Sequence, residues 1–448
     1  MSEYTKNNEV FKDYIKKQLL KNNIVKKGKF ILKSGIESDI YIDIKSINAY
    51  PTLMSSIIIA MSNQLKTSII QNDRSRQYHK FYLCGVPLGG ITIANLIGNH
   101  LNIPQVLLRD KVKDYGTKQM IEGMVHGYKD VIIIEDVITT GGSVLEAVEK
   151  LKKNGLRCIK IMSLIFRGDE TTLEKLKEYD YQYLFSKDDL TEDRLNIKLR
   201  PANSLSNTIN NFIVTKKSKI FLAIDKPMSP DELLLFLYEV KDYIIGIKIH
   251  HEILLSETII NPLFRSKLYE ECKKMNLIVW EDRKFNDIGK TLEKQLDYYS
   301  NNTDIISVVP IGGLESIKNI KTNLKVFILA EMSSNNNLFN NILKNQILEI
   351  SMNSDINDKV IGIICQDDIL IDYINNYTNL LTIKPGIRIS NKYNEKHLYD
   401  GKGQIWSDPR QFMVQPNIYV IGRDVMELET IDEIKEKLEY NNKIIESL

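Results

Sequence analysis

Beyond residue 217 short apolar runs recur with helical or loop sequence between them: 219–225 (KIFLAID), 244–249 (IIGIKI), 277–282 (LIVWED), 305–310 (IISVVP), 324–331 (LKVFILAE), 359–365 (KVIGIIC), 380–385 (LLTIKP) and 418–423 (IYVIGR). Continuous runs of this kind mark strands buried on both faces, and eight in one unit predict a (β/α)8 barrel. A doubly wound sheet produces similar runs. The barrel is favoured by where charge falls: Asp225, Lys248, Asp282 and Arg423 all sit at the carboxyl ends of their runs, where barrel active sites lie, and Gly422-Arg423 follows the eighth, a common phosphate position.

Before residue 200 the pattern is also α/β. The run VIIIED at 131–136 precedes VLEAVEKLKKNGL at 144–156, whose apolar residues recur at helical spacing and whose Gly155 can end the helix. The stretch 197–212, with Pro201, Ser204 and Ser206, reads as a linker entering a short helix. We therefore expect an α/β domain at 1–197, a linker and entry helix at 198–216, and a barrel at 217–448. A chain of 448 residues is long enough for two such cores.

Composition narrows the function. With 43% apolar and 26% charged residues the chain reads as soluble and globular, and a net charge of +2 gives no reason to expect nucleic acid. Cys84, Cys158, Cys272 and Cys365 lie far apart without metal-ligand spacing, which fits a reducing compartment. The first residues carry Glu3 and Glu9 and lack the apolar core of a signal peptide, and no window is long enough to cross a bilayer, so the expected location is the cytoplasm. Asparagine-rich segments such as NNNLFNN at 335–341 read as loop bias.

Candidate chemistry concentrates in three places. In LIVWEDRKFNDIG at 277–289, an extended backbone places Trp280, Asp282 and Lys284 on one face, so a carboxylate and an ammonium emerge together, with Asp287 in the following turn. An exposed charge run would also explain EDRK alone. Lys248, ending a neighbouring apolar run, argues for an alternating charge network in a cleft. In VIIIEDVITTGGSV at 131–144, Glu135 and Asp136 can engage ribose hydroxyls or a metal held by a diphosphate. The backbone from Thr139 through Thr140, Gly141 and Gly142 to Ser143 can cradle a phosphate at a helix N-terminus. The stretch 107–123 carries Arg109, Lys111, Lys113 and Lys118 around Gly116 and suggests a mobile basic loop able to close over a diphosphate.

These motifs carry a resemblance. The second half resembles orotidine 5'-phosphate decarboxylases in Asp282, Lys284 and Asp287, with Lys248 on the preceding strand. The first half resembles orotate phosphoribosyltransferases in the 131–144 segment. The whole chain thus resembles the bifunctional uridine monophosphate synthases, in the same domain order.

The resemblance implies two reactions: orotate displaces diphosphate from phosphoribosyl diphosphate, and the resulting orotidine 5'-phosphate loses carbon dioxide to give UMP. It implies Mg2+ for the first step, held mainly by the diphosphate and near Glu135 and Asp136, and no cofactor for the second. It marks Lys248, Asp282, Lys284, Asp287, Lys113 and Asp136 as catalytic. Further substrate contacts fall on Lys33, Arg109, Lys111, Tyr115 and Arg167 in the first half, and on Asp225, Thr291, Ser333, Gln404, Trp406, Gly422 and Arg423 in the second. His250 also matches a family position, and 387–403 resembles a lid. The basic loop, Asp287 and Thr291 reach a partner subunit's site in the family, which implies a homodimer.

Departures leave other readings open. The family usually has Arg-Lys at Arg109-Asp110 and an Asp at Phe166, and 67–82 is an extra polar insert, so the first domain could be a regulatory or dimerising module. A sugar-phosphate barrel decarboxylase or aldolase-like enzyme also shares the Asp-x-Lys pattern, but needs no phosphoribosyl diphosphate signature.

Overall fold

A computed structural model describes residues 3–31, 37–72, 81–109, 120–123, 126–191, 203–254, 262–320, 323–334, 337–389 and 405–448. The chain divides into two compact units, 1–196 and 197–448. The positions expected at Lys33, Lys111, Lys113, Tyr115 and Gln404, and most of the expected lid, lie outside the described residues.

In the first unit, strands β1 (Val25–Ile31) and β2 (Glu37–Ile42) form an antiparallel pair. Strands β3 (Phe81–Gly85), β4 (Gln105–Leu108), β5 (Ile121–Glu122), β6 (Asp130–Ile138), β7 (Arg157–Phe166) and β8 (Gln182–Ser186) form one sheet in the order β5-β4-β3-β6-β7-β8. Its pairs are parallel except β4–β5. Val131 and Ile133 of β6 are fully buried and pack with Val144, Ala147, Val148 and Leu151, the apolar stripe of helix Gly142–Lys153. That packing fixes the β6–helix turn, and so the acids that end the strand.

The second unit is a closed barrel of eight parallel strands: β9 (Ile220–Ile224), β10 (Gly246–Ile249), β11 (Ile278–Phe285), β12 (Ile305–Val308), β13 (Lys325–Leu329), β14 (Val360–Ile364), β15 (Leu381–Ile387) and β16 (Ile418–Ile421). Each of the eight apolar runs supplies one strand. Alternation sorts their side chains into two layers. Phe221, Trp280, Phe327, Ile383 and Val420 fill the interior, while Leu222, Ile247, Val279 and Ile421 pack outward with Leu233, Leu237 and Leu438 of the surrounding helices.

Helix Ser204–Lys216 is part of this unit. Ile209 is fully buried within the interior cluster, with Leu205, Phe212 and Ile213 packed against it. The Lys216 ammonium donates to the carbonyls of Lys241, Ile244 and Met275 at 2.8, 3.1 and 3.3 Å. The expected linker therefore ends in a helix that packs its apolar side onto the barrel core.

One local departure matters for the site. β11 runs past Asp282 to Phe285, and its pairing with β12 jumps from Glu281↔Ile306 to Phe285↔Val308, so extra residues bulge out between them. Lys284 takes a left-handed conformation, φ 60°. The expected shared face of Asp282 and Lys284 is thus reached through a bulge that turns the lysine back, a common device beside functional sites.

Candidate active sites

A cavity of about 850 Å3 opens at the carboxyl ends of the barrel strands, within the usual range for a small-molecule site. Asp225, Lys248, Asp282, Lys284, Ser333, Trp406, Gly422 and Arg423 all line it, as does His250. Asp287 and Thr291 do not: Asp287 accepts a hydrogen bond from Gln295 Nε2 at 3.0 Å, and Thr291 is exposed on helix Gly289–Asp297.

At its floor, Asp282 is 7% exposed and surrounded by donors. Its Oδ2 lies 2.7 Å from Lys284 Nζ and 3.3 Å from Lys248 Nζ. Its Oδ1 accepts from Ser307 Oγ at 2.6 Å, and Ser307 in turn accepts from Trp280 Nε1 at 2.8 Å. Burial pushes this carboxyl up, but the charges of Lys248 and Lys284 and the bonds from Lys284 and Ser307 outweigh it and hold the group below its ordinary value. Asp282 is therefore an anion in a wall of positive charge.

Lys248 also reaches Asp225 Oδ1 at 3.5 Å and His250 Nε2 at 3.2 Å. Burial, then the positive charge of Lys248, pushes His250 down to about 4, so its ring is neutral at neutral pH and Nε2 can accept from the lysine. On the far side, the Arg423 guanidinium sits 4.9 Å from the centroid of Trp406, which is buried. A cation held over an indole face is kept in place for an anionic group while remaining charged.

In the first unit the acids ending β6 differ sharply. Glu135 is buried, and burial together with Asp136 raises its carboxyl to about 9. Its Oε1 accepts from the Asp136 amide at 2.9 Å. Asp136 is half-buried and accepts from the Val137 amide at 2.7 Å. Thr139, Thr140, Gly142 and Ser143 are exposed at the turn, and Gly141 has φ 77°, a conformation that glycine adopts without strain.

Sequence reading missed the segment Gly85–Gly90, which lies against this strand end. A Cβ on Gly89 would come within 1.8 Å of Asp136 Oδ2, so only glycine allows the approach. The signal, GVPLGG after a buried strand, was present but has no partner visible in one dimension.

Arg167 follows β7, half-buried; its amide donates to Ile138 O at 2.8 Å, beside the Thr139 turn, and burial lowers its guanidinium from the ordinary value. Phe166, where an acid was expected, is buried among Tyr181 and Tyr183, with ring centroids at 5.7 and 5.3 Å. Arg109 Nε bonds Glu122 Oε1 at 3.0 Å, and its Nη2 is ion-paired with the same carboxylate. A diphosphate at Arg109 would have to compete with that partner.

All four cysteines are free. Among the described residues no helix is long and apolar enough to cross a membrane, and no group of three or more His, Cys, Asp or Glu can hold a metal ion.

Comparison with known proteins places these two sites in families. Residues 58–189 match the phosphoribosyl transferase domain family and residues 218–434 the orotidine 5'-phosphate decarboxylase / HUMPS family. A uridine 5'-monophosphate synthase from Caenorhabditis elegans is 26% identical, with 93% of this chain and 93% of that protein covered. One from Naegleria gruberi is 24% identical, covering 91% of each. An orotate phosphoribosyltransferase from Methanosphaera stadtmanae is 32% identical over 39% of this chain and 91% of its own length.

Proposed function

Because the chain belongs to the uridine 5'-monophosphate synthase family, an orotate phosphoribosyltransferase domain followed by an orotidine 5'-phosphate decarboxylase domain, we infer that it makes UMP in two steps of pyrimidine biosynthesis. The first unit joins orotate to the ribosyl carbon of phosphoribosyl diphosphate and releases diphosphate. The second decarboxylates the resulting orotidine 5'-phosphate.

The observation that carries the decarboxylase assignment is Asp282 between two ammonium groups in one cavity, 2.7 Å from Lys284 and 3.3 Å from Lys248. When the bond from C6 to the carboxylate breaks, its electron pair stays on C6. The Lys284 ammonium opposes that growing charge and gives C6 its proton. Asp282 faces the departing carboxylate and raises the energy of the bound ground state. Lys248 keeps Asp282 charged and aimed. Asp225 receives the ribose hydroxyls, Ser333 the pyrimidine, and Gly422 with Arg423 the phosphate, beside Trp406. Gln404 completes the phosphate contacts.

In the first unit, the turn from Thr139 to Ser143 binds the donor's phosphate through backbone amides, and Asp136 binds its ribose. Arg167 and Lys33 bind orotate; Arg109, Lys111, Lys113 and Tyr115 meet the diphosphate. Glu135 and Asp136 provide too few oxygens to hold a cation alone, which suits a Mg2+ that arrives on the diphosphate and keeps its waters. Bound there, the ion neutralises charge on the leaving diphosphate. Asp287 and Thr291, outside the cavity of their own chain, complete the site of a second copy in a homodimer.

A paired absorbance assay tests this reading: orotate with phosphoribosyl diphosphate and Mg2+ in one cell, orotidine 5'-phosphate with chelator in the other. Both substrates should be consumed, the second despite the chelator and not by Lys284→Ala. Decarboxylation without transfer would reduce the first unit to a regulatory or dimerising module.

A further inference from the structure

Glu281 precedes Asp282 and points the opposite way. Trp280 lies in the barrel interior with Asp282 beside the cavity, whereas Val279 belongs to the outer layer, so Glu281 projects toward the helices. It is fully buried. Its partner there is His251, 2% exposed, the first residue of the short helix His251–Leu254. Glu281 Oε2 accepts from the His251 backbone N–H at 3.2 Å and is also hydrogen-bonded to the ring at Nδ1. The Tyr299 ring closes the outer side, edge-on to His251 at 5.4 Å, and its hydroxyl donates to Glu252 Oε1 at 3.3 Å.

A buried charged pair contributes little net stability compared with apolar side chains of the same size. Glu281 Oε1 has no hydrogen-bond partner among the described residues, which weakens the stability argument further. What the pair does is geometric. His251 is bonded to His250, whose Nε2 is 3.2 Å from Lys248 Nζ, and Glu281 is bonded to Asp282. One carboxylate oxygen thus fastens the segment leaving β10 to the strand that carries Asp282, just beyond the last register pair, Ile249↔Glu281.

We propose that Glu281 and His251 are positioning residues for the decarboxylase, a buried clamp behind the cavity that sets Lys248 and His250 against Asp282. The proposal rests on the decarboxylase reading of this cavity. Neither residue touches substrate. Without the clamp the barrel stays folded, but Lys248 meets Asp282 over a wider range of distances, and misplacement of reacting groups by about 1 Å can cost about 10²-fold in rate.

The experiment pairs Glu281→Met with His251→Leu in the full chain and measures the thermal midpoint, kcat and KM for orotidine 5'-phosphate, and amide hydrogen exchange across 249–252. We expect an unchanged or higher midpoint, kcat lowered at least about tenfold with KM within about threefold, and faster exchange at 249–252. Glu281→Gln, which keeps an oxygen for His251, should recover most of kcat. Unchanged kcat and exchange would overturn the clamp, as would losses that follow the midpoint alone. If the double variant does not fold, Glu281→Gln against Glu281→Met, each with His251 retained, makes the comparison, and equal kcat and exchange in the two overturns it. If the unmutated protein leaves orotidine 5'-phosphate intact, the functional reading fails, and the exchange comparison alone decides whether the pair is a clamp.

Discussion

Ser307 donates its hydroxyl to Asp282 Oδ1 at 2.6 Å from the neighbouring strand, and both side chains are buried. The bond leaves Oδ2 free to face Lys248 and Lys284, so the carboxylate is held on one side by a neutral donor and on the other by two cations.

Ser307→Ala tests that division of labour. It removes the Asp282 bond and strands the buried Trp280 Nε1–H, which should destabilise the barrel by about 1–3 kcal/mol and lower its thermal midpoint. Because Asp282 gains freedom to rotate, decarboxylase kcat should fall by about tenfold or more while KM changes little. Phosphoribosyl transfer, assayed in the same preparation, should be unaffected.

Glu135 should make the first unit less stable as pH rises. Its folded value is raised to about 9, by burial first, from an ordinary value of 4.5. Between those limits the unfolded chain has released the proton and the folded chain still binds it, so stability declines with pH across that window. Glu135→Gln removes the effect: denaturant titrations should show the variant gaining on the parent from about pH 5 to pH 9. Transfer activity should drop if the ionised acid faces the cationic ribose, and a variant with a flat pH difference would show that Glu135 is not held protonated.

His250 produces the opposite slope on the acid side. Burial pushes its ring down to about 4, below its ordinary 6.5. Between those values the unfolded state binds the extra proton, so the barrel loses stability as pH falls from 6.5 toward 4. Asp282, with its folded value depressed, adds stability that is present above the unfolded carboxyl value and is lost only at lower pH. His250→Asn should flatten the pH 6.5 to 4 limb and leave the lower limb in place; an unchanged upper limb would contradict the neutral ring.

Arg423→Lys keeps a positive charge at the phosphate position but loses the flat guanidinium that lies over Trp406. We expect KM for orotidine 5'-phosphate to rise by about tenfold with a smaller change in kcat, the pattern of lost ground-state binding. Arg423→Ala should raise it further, and orotidine without its phosphate should show neither effect.

The eight strands, the polar residues at their carboxyl ends and the turn after β6 were legible in the sequence because buried parallel strands are unbroken apolar runs, and because glycine and carboxylates carry local meaning. The interval 198–216 read as a linker with an entry helix, and what that helix packs against was not readable. Ile209 joins the barrel core only once the strands have closed.

Contacts between distant segments were decided by tertiary structure. Ser307 stands 25 positions from Asp282, and Arg109 finds Glu122 only through the β4–β5 pair. Phe166 is absorbed by tyrosines from the next strand, and Gly89 matters because β6 brings Asp136 against it. Even Asp282 and Lys284, adjacent but one, meet through a bulge and a left-handed backbone that a period of two does not foresee. Local patterning sets which segments are strands and helices, since that depends on each segment's own propensity and apolar spacing. Which side chains share a carboxylate depends on strand register and closure, and those arise only when the whole barrel packs.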